Sequence, residues 1–326
     1  MKKKSVYISD IKAGEKVGDY FLVTEKNLSF SQKGAPYLNL RVKDKTGELD
    51  GKIWDNAREW DKAFKRGDIV YLESRAVNYK NNVQLSIVEV KKAEEEEIEI
   101  SDYMPAAARD GEVMLGELLT FLEGIKDPHL KALLDSFFQD EAIVTGLKEA
   151  PAAKGFHHVY IGGLLEHTLS VTRLLDLVCN HYHGINRDLV ITGGILHDIG
   201  KIHEFSYGRI IDYTDEGRLI GHIVMGAEMV DNRIASLKGF PAGLAMELRH
   251  LLLSHHGELE FGSPKRPKTV EALIVHFIDD LDAKVNAFQE FIDVSPDDES
   301  AWTPFHRLLD RVIYKGGNVA KEPTKN

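Results

Sequence analysis

The hydrophobic rhythm of the chain changes near residue 100. Before that point apolar positions come in short runs with a period near two. Val17-Gly18-Asp19-Tyr20-Phe21-Leu22-Val23 is rich in strand formers, and Tyr37 to Val42 alternates apolar with polar residues as a half-buried strand does. Asp44-Lys45-Thr46-Gly47 reads as a turn, and Glu48 to Trp54 as the strand after it. Asn56 to Phe64 has helical spacing, Gly67-Asp68 ends it, and Ile69 to Ser74 returns to strand character. Asn81-Asn82 then turns the chain into Val83 to Ile87. Strands with one helix between the third and fourth predict a small five-stranded β-barrel over residues 1–92.

From Gly111 the period becomes helical. Leu115, Leu118, Leu119 and Leu122 recur at steps of three and four, as do Ile161, Leu164, Leu165 and Thr168, then Val171, Leu174, Leu175 and Val178. An all-α bundle is expected over 111–315, with connections near Gly155, Gly184, Gly239 and Pro264 to Pro267. Residues 93–110, with Glu94 to Glu97 and Glu99, read as a solvated acidic linker, and 316–326 as a polar tail. The fold class is thus multidomain: a small all-β barrel, then an all-α bundle.

Composition sharpens this division. All 14 histidines lie between His129 and His306. Residues 1–92 hold 19 Lys/Arg against 13 Asp/Glu, a net of +6, within a chain whose net charge is −11. The two parts therefore carry different chemistry, and only the first has the sign that favours a polyanion. A single cysteine, Cys179, excludes an intrachain disulfide framework and any cysteine-rich zinc site. No apolar run approaches the roughly 20 residues of a spanning helix, and no apolar segment follows the basic Met1 to Lys4, so a cytoplasmic protein is expected.

The histidines of the helical part fall into an ordered pattern. His167 lies on an apolar-periodic helix; His197-Asp198 ends the next, with Gly200 beyond it; His222 opens a third; His255-His256 closes a fourth before Gly257; Asp279 sits inside Ala272 to Asp279. Each is flanked by apolar residues and so is drawn towards the core, where unpartnered imidazoles and carboxylates are costly. A divalent cation resolves this, because it offsets the carboxylates and accepts neutral imidazole nitrogens. Helices of a bundle can bring such ligands to one point.

The order His … His-Asp … His … His-His … Asp resembles the HD superfamily of phosphohydrolases, in the version with a second metal position. The resemblance implies a first metal on His167, His197, Asp198 and Asp279, and a second on His222, His255 and His256, with Asp198 bridging. Asp280 and Asp282 are neighbouring alternatives to Asp279. Two divalent ions are implied, manganese first, with iron, cobalt, nickel or magnesium as alternatives. Between two cations a water loses its proton near neutral pH. Asp198 is then catalytic, Lys201 either offsets phosphate charge or caps a helix, and His157 and His158 either contact phosphate, donate a proton or are structural. His203, His250 and His276 are candidates for hydrogen-bonding the ligands from behind.

In the first part, basic and aromatic residues interleave: Phe30, Lys33, Tyr37, Arg41, Lys43, Lys45, Lys52 and Trp54. Aromatic faces that stack on bases beside cations that track phosphates are how single strands are commonly held, although Tyr37 and Trp54 could instead fill the barrel core. Phe30, Lys33, Tyr37, Arg41, Lys52 and Trp54 are the candidate nucleic-acid contacts. Lys33 to Leu40 and Asp44 to Asp55 resemble the OB-type anticodon-binding fold. An OB module followed by an HD domain is similar to the YhaM-type 3′-to-5′ exoribonucleases. Phe156-His157-His158, Gly162 to Thr168, Ser254 to Gly257, Phe261 to Lys265 and Leu281 to Lys284 carry that likeness. It implies a metal-dependent nuclease that trims single-stranded RNA, and single-stranded DNA as a further substrate, from the 3′ end; several copies around one site would help a weakly basic surface hold its strand. After His256 the chain reads Gly257-Glu258-Leu259-Glu260-Phe261 and lacks the Gly-Tyr-Pro string of the cyclic-di-GMP-cleaving subgroup. The competing readings are a phosphohydrolase of a nucleotide or other small phosphate ester with a regulatory OB module, and a non-catalytic nucleic-acid-binding protein with a structural metal.

Overall fold

The computed structural model describes residues 4–80, 82–94, 98–104, 107, 109–153, 160–295, 300–307 and 309–316. Its contacts divide the chain into two compact units. In the first, five strands close a barrel: β1 (Lys16–Phe30), β2 (Pro36–Asp44), β3 (Gly47–Ile53), β4 (Ile69–Tyr79) and β5 (Asn82–Lys92), in the order β1-β2-β3-β5-β4. Only β3 and β5 run parallel, and the helix α1 (Ala57–Ala63) precedes β4. This is the OB topology that the strand pattern predicts.

Alternation decides what each strand offers. Leu38, Leu40 and Val42 of β2 and Gly51 and Ile53 of β3 face inward with Phe21, Val70, Leu72 and Leu85, while Tyr37, Asn39, Arg41, Asp50 and Lys52 are left on the outer side. Irregular register between Val23 and Glu25, and between Glu73 and Ser74, bends the long strands so that the sheet can close.

Two features depart from the expected organisation. The segment read as a solvated linker packs in part on the barrel: Ala93, Ile98 and Tyr103 form an apolar cluster with Leu22 and Ile69, and Asp102 accepts from the Tyr7 hydroxyl. Its acidic run hides these apolar residues from a composition-based reading. The part read as all-α also contains a hairpin, β6 (Phe205–Tyr207) and β7 (Ile211–Tyr213). Residues 205–214 belong to the barrel unit, where Ile210 packs against that same apolar cluster and Arg66 meets Asp212 at 3.0 Å.

The second unit is helical: α2 (Gly111–Glu123), α3 (Pro128–Phe138), α4 (Glu141–Glu149), α5 (Gly163–His181), α6 (Arg187–Leu196), α7 (Lys201–Glu204), α8 (Asp215–Leu219), α9 (His222–Ser236), α10 (Ala242–Ser254) and α11 (Val270–Val294). Side-chain oxygens of Asp110, Asp127, Asp140, Asn186 and Thr269 accept from first-turn N–H groups and set where α2, α3, α4, α6 and α11 begin. The centre is α6, buried over Leu189 to Leu196. Gly193 and Gly194 let it sit close to its neighbours: a Cβ there would come within 2.5 Å of Leu251 and 2.3 Å of Leu175. This close packing carries the end of α6, and with it His197, into the middle of the bundle. After α11, residues 300–307 and 309–316 fold back so that Leu309 and Ile313 pack against Ala287. Among the described residues no helix is long and apolar enough to cross a membrane.

Candidate metal centre and nucleic-acid face

Five histidines present one nitrogen each to a common space, and in each the other nitrogen is held from behind. Nδ1 of His197 donates to the Gly194 carbonyl at 2.8 Å, that of His255 to Leu252 at 2.7 Å, and that of His256 to Phe261 at 2.9 Å. Asp282 accepts from His167 Nδ1 at 2.8 Å, and Glu204 from His222 Nδ1 at 3.0 Å. An acceptor behind each ring requires hydrogen on Nδ1 and leaves the Nε2 lone pair facing inward, the tautomer a metal ligand needs.

The carboxylate of Asp198 lies between two groups of these nitrogens. Its Oδ2 is 3.5 Å from His167 Nε2 and 3.3 Å from His197 Nε2; its Oδ1 is 3.4 Å from His222 Nε2 and 3.6 Å from His255 Nε2. Asp279 joins the first group, 3.1 Å from His167 Nε2 and 3.6 Å from His197 Nε2. Ligand atoms of His167, His197 and Asp279 all lie within 4.8 Å of one another, as do those of His222, His255 and His256. Asp198 Oδ1, His222 Nε2 and His255 Nε2 are buried without a hydrogen-bond partner. Buried polar atoms are ordinarily satisfied, so three unpartnered atoms aimed at one space fit the donor set of a divalent cation.

Local packing fixes this arrangement. A Cβ on Gly200 would fall 2.2 Å from the His222 carbonyl and 2.7 Å from the Gly226 nitrogen, so only glycine lets the turn after Asp198 lie against the start of α9. Glu204 is anchored there too, accepting from the His222 backbone N–H at 3.0 Å. Ser170 donates to Asp282 and orients it towards His167.

Electrostatics differ between the two groups. Burial opposes charge on His167 and His197, yet the surrounding carboxylates, Asp279 and Asp282 for the first and Asp198 and Asp279 for the second, raise both; His197 reaches about 10. Burial also opposes ionisation of Asp198 and Asp279, and is outweighed by Lys201 and His197 for the former and by His197 and His167 for the latter, leaving both well below the usual carboxylate range. His222 and His255 are lowered by burial, and His256 falls to about 4 through burial and its neighbour His255. The cluster thus has a strong demand for positive charge around its carboxylates, which a cation would meet in place of protons.

All seven residues expected as ligands converge. Of the alternatives to Asp279, Asp282 stands behind His167 and Asp280 pairs with Lys284 at 2.7 Å away from the cluster. Lys201, read as a phosphate-facing cation or a helix cap, is buried with its Nζ 2.6 Å from Asp198 Oδ2. His157 and His158 lie outside the described residues. Among the candidates for backing the ligands, His276 donates to the His255 carbonyl at 2.8 Å; His250 accepts from the Lys268 N–H at 2.9 Å, and His203 is exposed. Glu204 and Asp282 were not singled out in that role; the His-Asp-Ile-Gly-Lys-Ile-His-Glu string places Glu204 near the site in sequence but nothing marks its reach back to His222.

On the barrel, Tyr37 and Trp54 do not fill the core. Trp54 is 51% exposed and stacks on Tyr37 with centroids 4.7 Å apart. Lys52 lies 5.4 Å from the Tyr37 ring, 5.5 Å from Trp54 and 5.3 Å from Tyr79, a third aromatic that the strand pattern did not single out. A cavity of about 320 Å³ beside them is lined in part by Asn39, Arg41, Asp50, Lys52 and Gln84. Arg41 is not a free cation here: it bonds Asp50 at 3.1 Å and Glu25 at 3.5 Å. Phe30, at the end of β1, and Lys33, in the turn after it, are exposed.

Comparison with known proteins agrees with both halves. Residues 164–284 match the HD domain family, and residues 22–93 match the OB-fold nucleic acid binding domain family. The seven clustered residues all fall inside the first match. Among solved structures, the second OB-fold domain of replication protein A from Methanococcus maripaludis is 20% identical, covering 28% of this chain and 95% of its own, with a TM-score of 0.23. The OB domain of Ta0387 from Thermoplasma acidophilum is 14% identical, covering 27% of this chain and 85% of its own, with a TM-score of 0.22. By the two family matches, the chain joins an OB-fold nucleic-acid-binding domain to an HD domain, the combination of a metal-dependent phosphohydrolase with a module for nucleic acid.

Proposed function

We propose that this protein is a 3′-to-5′ exoribonuclease that hydrolyses the terminal phosphodiester of single-stranded RNA, with single-stranded DNA as a further substrate. The observation that carries the reading is the four histidine Nε2 atoms, of His167, His197, His222 and His255, turned onto the Asp198 carboxylate in a chain that also presents an aromatic and lysine face on an OB barrel.

His167, His197, Asp198 and Asp279 would hold one divalent cation, and His222, His255 and His256 a second, with Asp198 offering one oxygen to each side. When bound, such cations, manganese first among them, supply the Lewis acidity that activates water and neutralises charge on the phosphoryl oxygens. Asp198 is held for this by Lys201, whose Nζ sits on Oδ2 and would add a positive charge beside a bound phosphate. Asp282 and Glu204 keep His167 and His222 in the ligating tautomer. On the barrel, Trp54 and Tyr37 would stack on bases while Lys52 meets phosphate, which raises the local concentration of strand for the hydrolytic domain.

The test is a time course on 5′-labelled single-stranded RNA with Mn²⁺. A ladder shortening from the 3′ end, absent in Asp198→Ala, is expected. An intact substrate with the wild type overturns the exonuclease reading in favour of a phosphohydrolase of small phosphate esters.

A further inference from the structure

The outer face of α11 carries an apolar stripe that the fold leaves in solvent. Val270, Leu273, Phe277, Leu281 and Val285 recur at steps of three and four residues, and each is 44–58% exposed. Such spacing puts them on one side of a helix, while Ala272, Val275, Asp279 and Asp282 turn the other way, into the bundle. A surface helix normally directs charge outward, so an apolar outer face on the helix that also supplies Asp279 requires a cover.

The order of residues indicates which cover. Reading outward from Phe277, a leucine stands four residues away on each side and a valine close to the next two turns on each side. A second α11 laid antiparallel about a two-fold axis at Phe277 would place phenylalanine on phenylalanine, Leu273 on Leu281 of the second copy, and Val270 on Val285. This is the self-complementarity of an isologous contact. The exposed parts of these five side chains amount to about 430 Å² per copy, or about 870 Å² for a pair, an apolar centre that flanking polar residues would extend towards the ~1,200 Å² at which specific interfaces begin.

We infer that the protein forms a two-fold dimer through the outer face of α11, with the two helices antiparallel about Phe277. The contact lies on the side of α11 away from Asp279 and leaves the metal cluster uncovered by it.

Sedimentation velocity on the full chain at tens of micromolar tests this. The wild type is expected to be a dimer. Phe277→Glu places two carboxylates against each other on the axis and is expected to weaken association about a hundredfold or more. Val88→Glu, which replaces a 77% exposed valine on the barrel, should leave the dimer intact. Circular dichroism spectra of both variants must match the wild type. In a Cys179→Ser background, mild oxidation should cross-link Phe277→Cys with itself, and Leu273→Cys with Leu281→Cys only when the two are mixed. A monomeric wild type overturns the inference, whatever else covers the stripe. So does a dimer that survives Phe277→Glu, or a Leu273→Cys chain that cross-links to itself as readily as to Leu281→Cys.

Discussion

Glu204 contributes no atom to the inner cluster, yet it sets the geometry of one side of it. Its Oε1 accepts from both the backbone N–H and Nδ1 of His222 at 3.0 Å, and the residue is buried. Replacing it with alanine removes the acceptor from two donors, each a loss of about 1–3 kcal/mol where water cannot substitute. The His222 ring then loses both its orientation and its tautomer preference. Outer-shell losses of this kind weaken metal affinity by about 10–100-fold, or roughly 1.4–2.8 kcal/mol. Calorimetric titration of Mn²⁺ into chelator-treated protein should show that weakening in one class of site, with the sites on His167, His197 and Asp279 retained. Glu204→Gln keeps a carbonyl oxygen for the same donors and should weaken binding by less than alanine does. Unchanged affinity in a folded Glu204→Ala protein would refute the argument that Glu204 holds His222 for a metal.

Four further outcomes are expected. Trp54→Ala should weaken single-stranded RNA binding by about 1–3 kcal/mol in a fluorescence anisotropy titration; because Trp54 is half exposed, thermal stability should hardly change. Gly200→Ala should lower both the melting temperature and Mn²⁺ affinity, since the new Cβ has only backbone atoms at 2.2–2.9 Å to move against. Removing bound divalent ions by chelation should lower the melting temperature, and restoring them at about 100 times Kd should return roughly 2.7 kcal/mol; a protein indifferent to chelation carries no resident metal. The fourth is a pH effect at Asp68: burial raises its pKa, but the Lys65 N–H at 2.9 Å and Lys92 at 3.0 Å outweigh that and leave it lowered. A depressed folded-state pKa stabilises above the unfolded value and is lost as pH falls through the folded one, so Asp68→Asn should flatten the acid limb of the denaturation midpoint against pH.

The barrel was legible because strand alternation is a local signal. Leu38, Leu40 and Val42 against Tyr37, Asn39 and Arg41 state which side is core before any partner strand is known. The sequence alone left Tyr37 and Trp54 open between stacking on bases and filling the core: Trp54 lies just beyond β3, where alternation no longer decides, and its stacking on Tyr37 depends on pairing between β2 and β3. The hairpin of β6 and β7 escaped notice for a different reason. Its strands are three residues each, too short for a period to register, and Ile210 of its own turn packs on a cluster drawn from residues over a hundred positions earlier. Tertiary packing, not propensity, makes it.

The metal cluster divides along the same line. Its inner residues were readable because a cation demands particular side chains, and His167, His197, Asp198, His222, His255, His256 and Asp279 can do the same work wherever the chain brings them together. The supports behind them have no such signature. Three of the five Nδ1 atoms are held by backbone carbonyls, of Gly194, Leu252 and Phe261, and any residue has a carbonyl. The carbonyls of Gly194 and Leu252 are available because His197 and His255 follow the last residues of α6 and α10, where the final carbonyls lack partners within the helix. The position of a histidine at a helix end is therefore informative in itself: the end supplies the acceptor that fixes the tautomer, and the side chain supplies the ligand. His167 and His222 lie elsewhere, near the starts of α5 and α9, and there the acceptors are carboxylates, of Asp282 and Glu204.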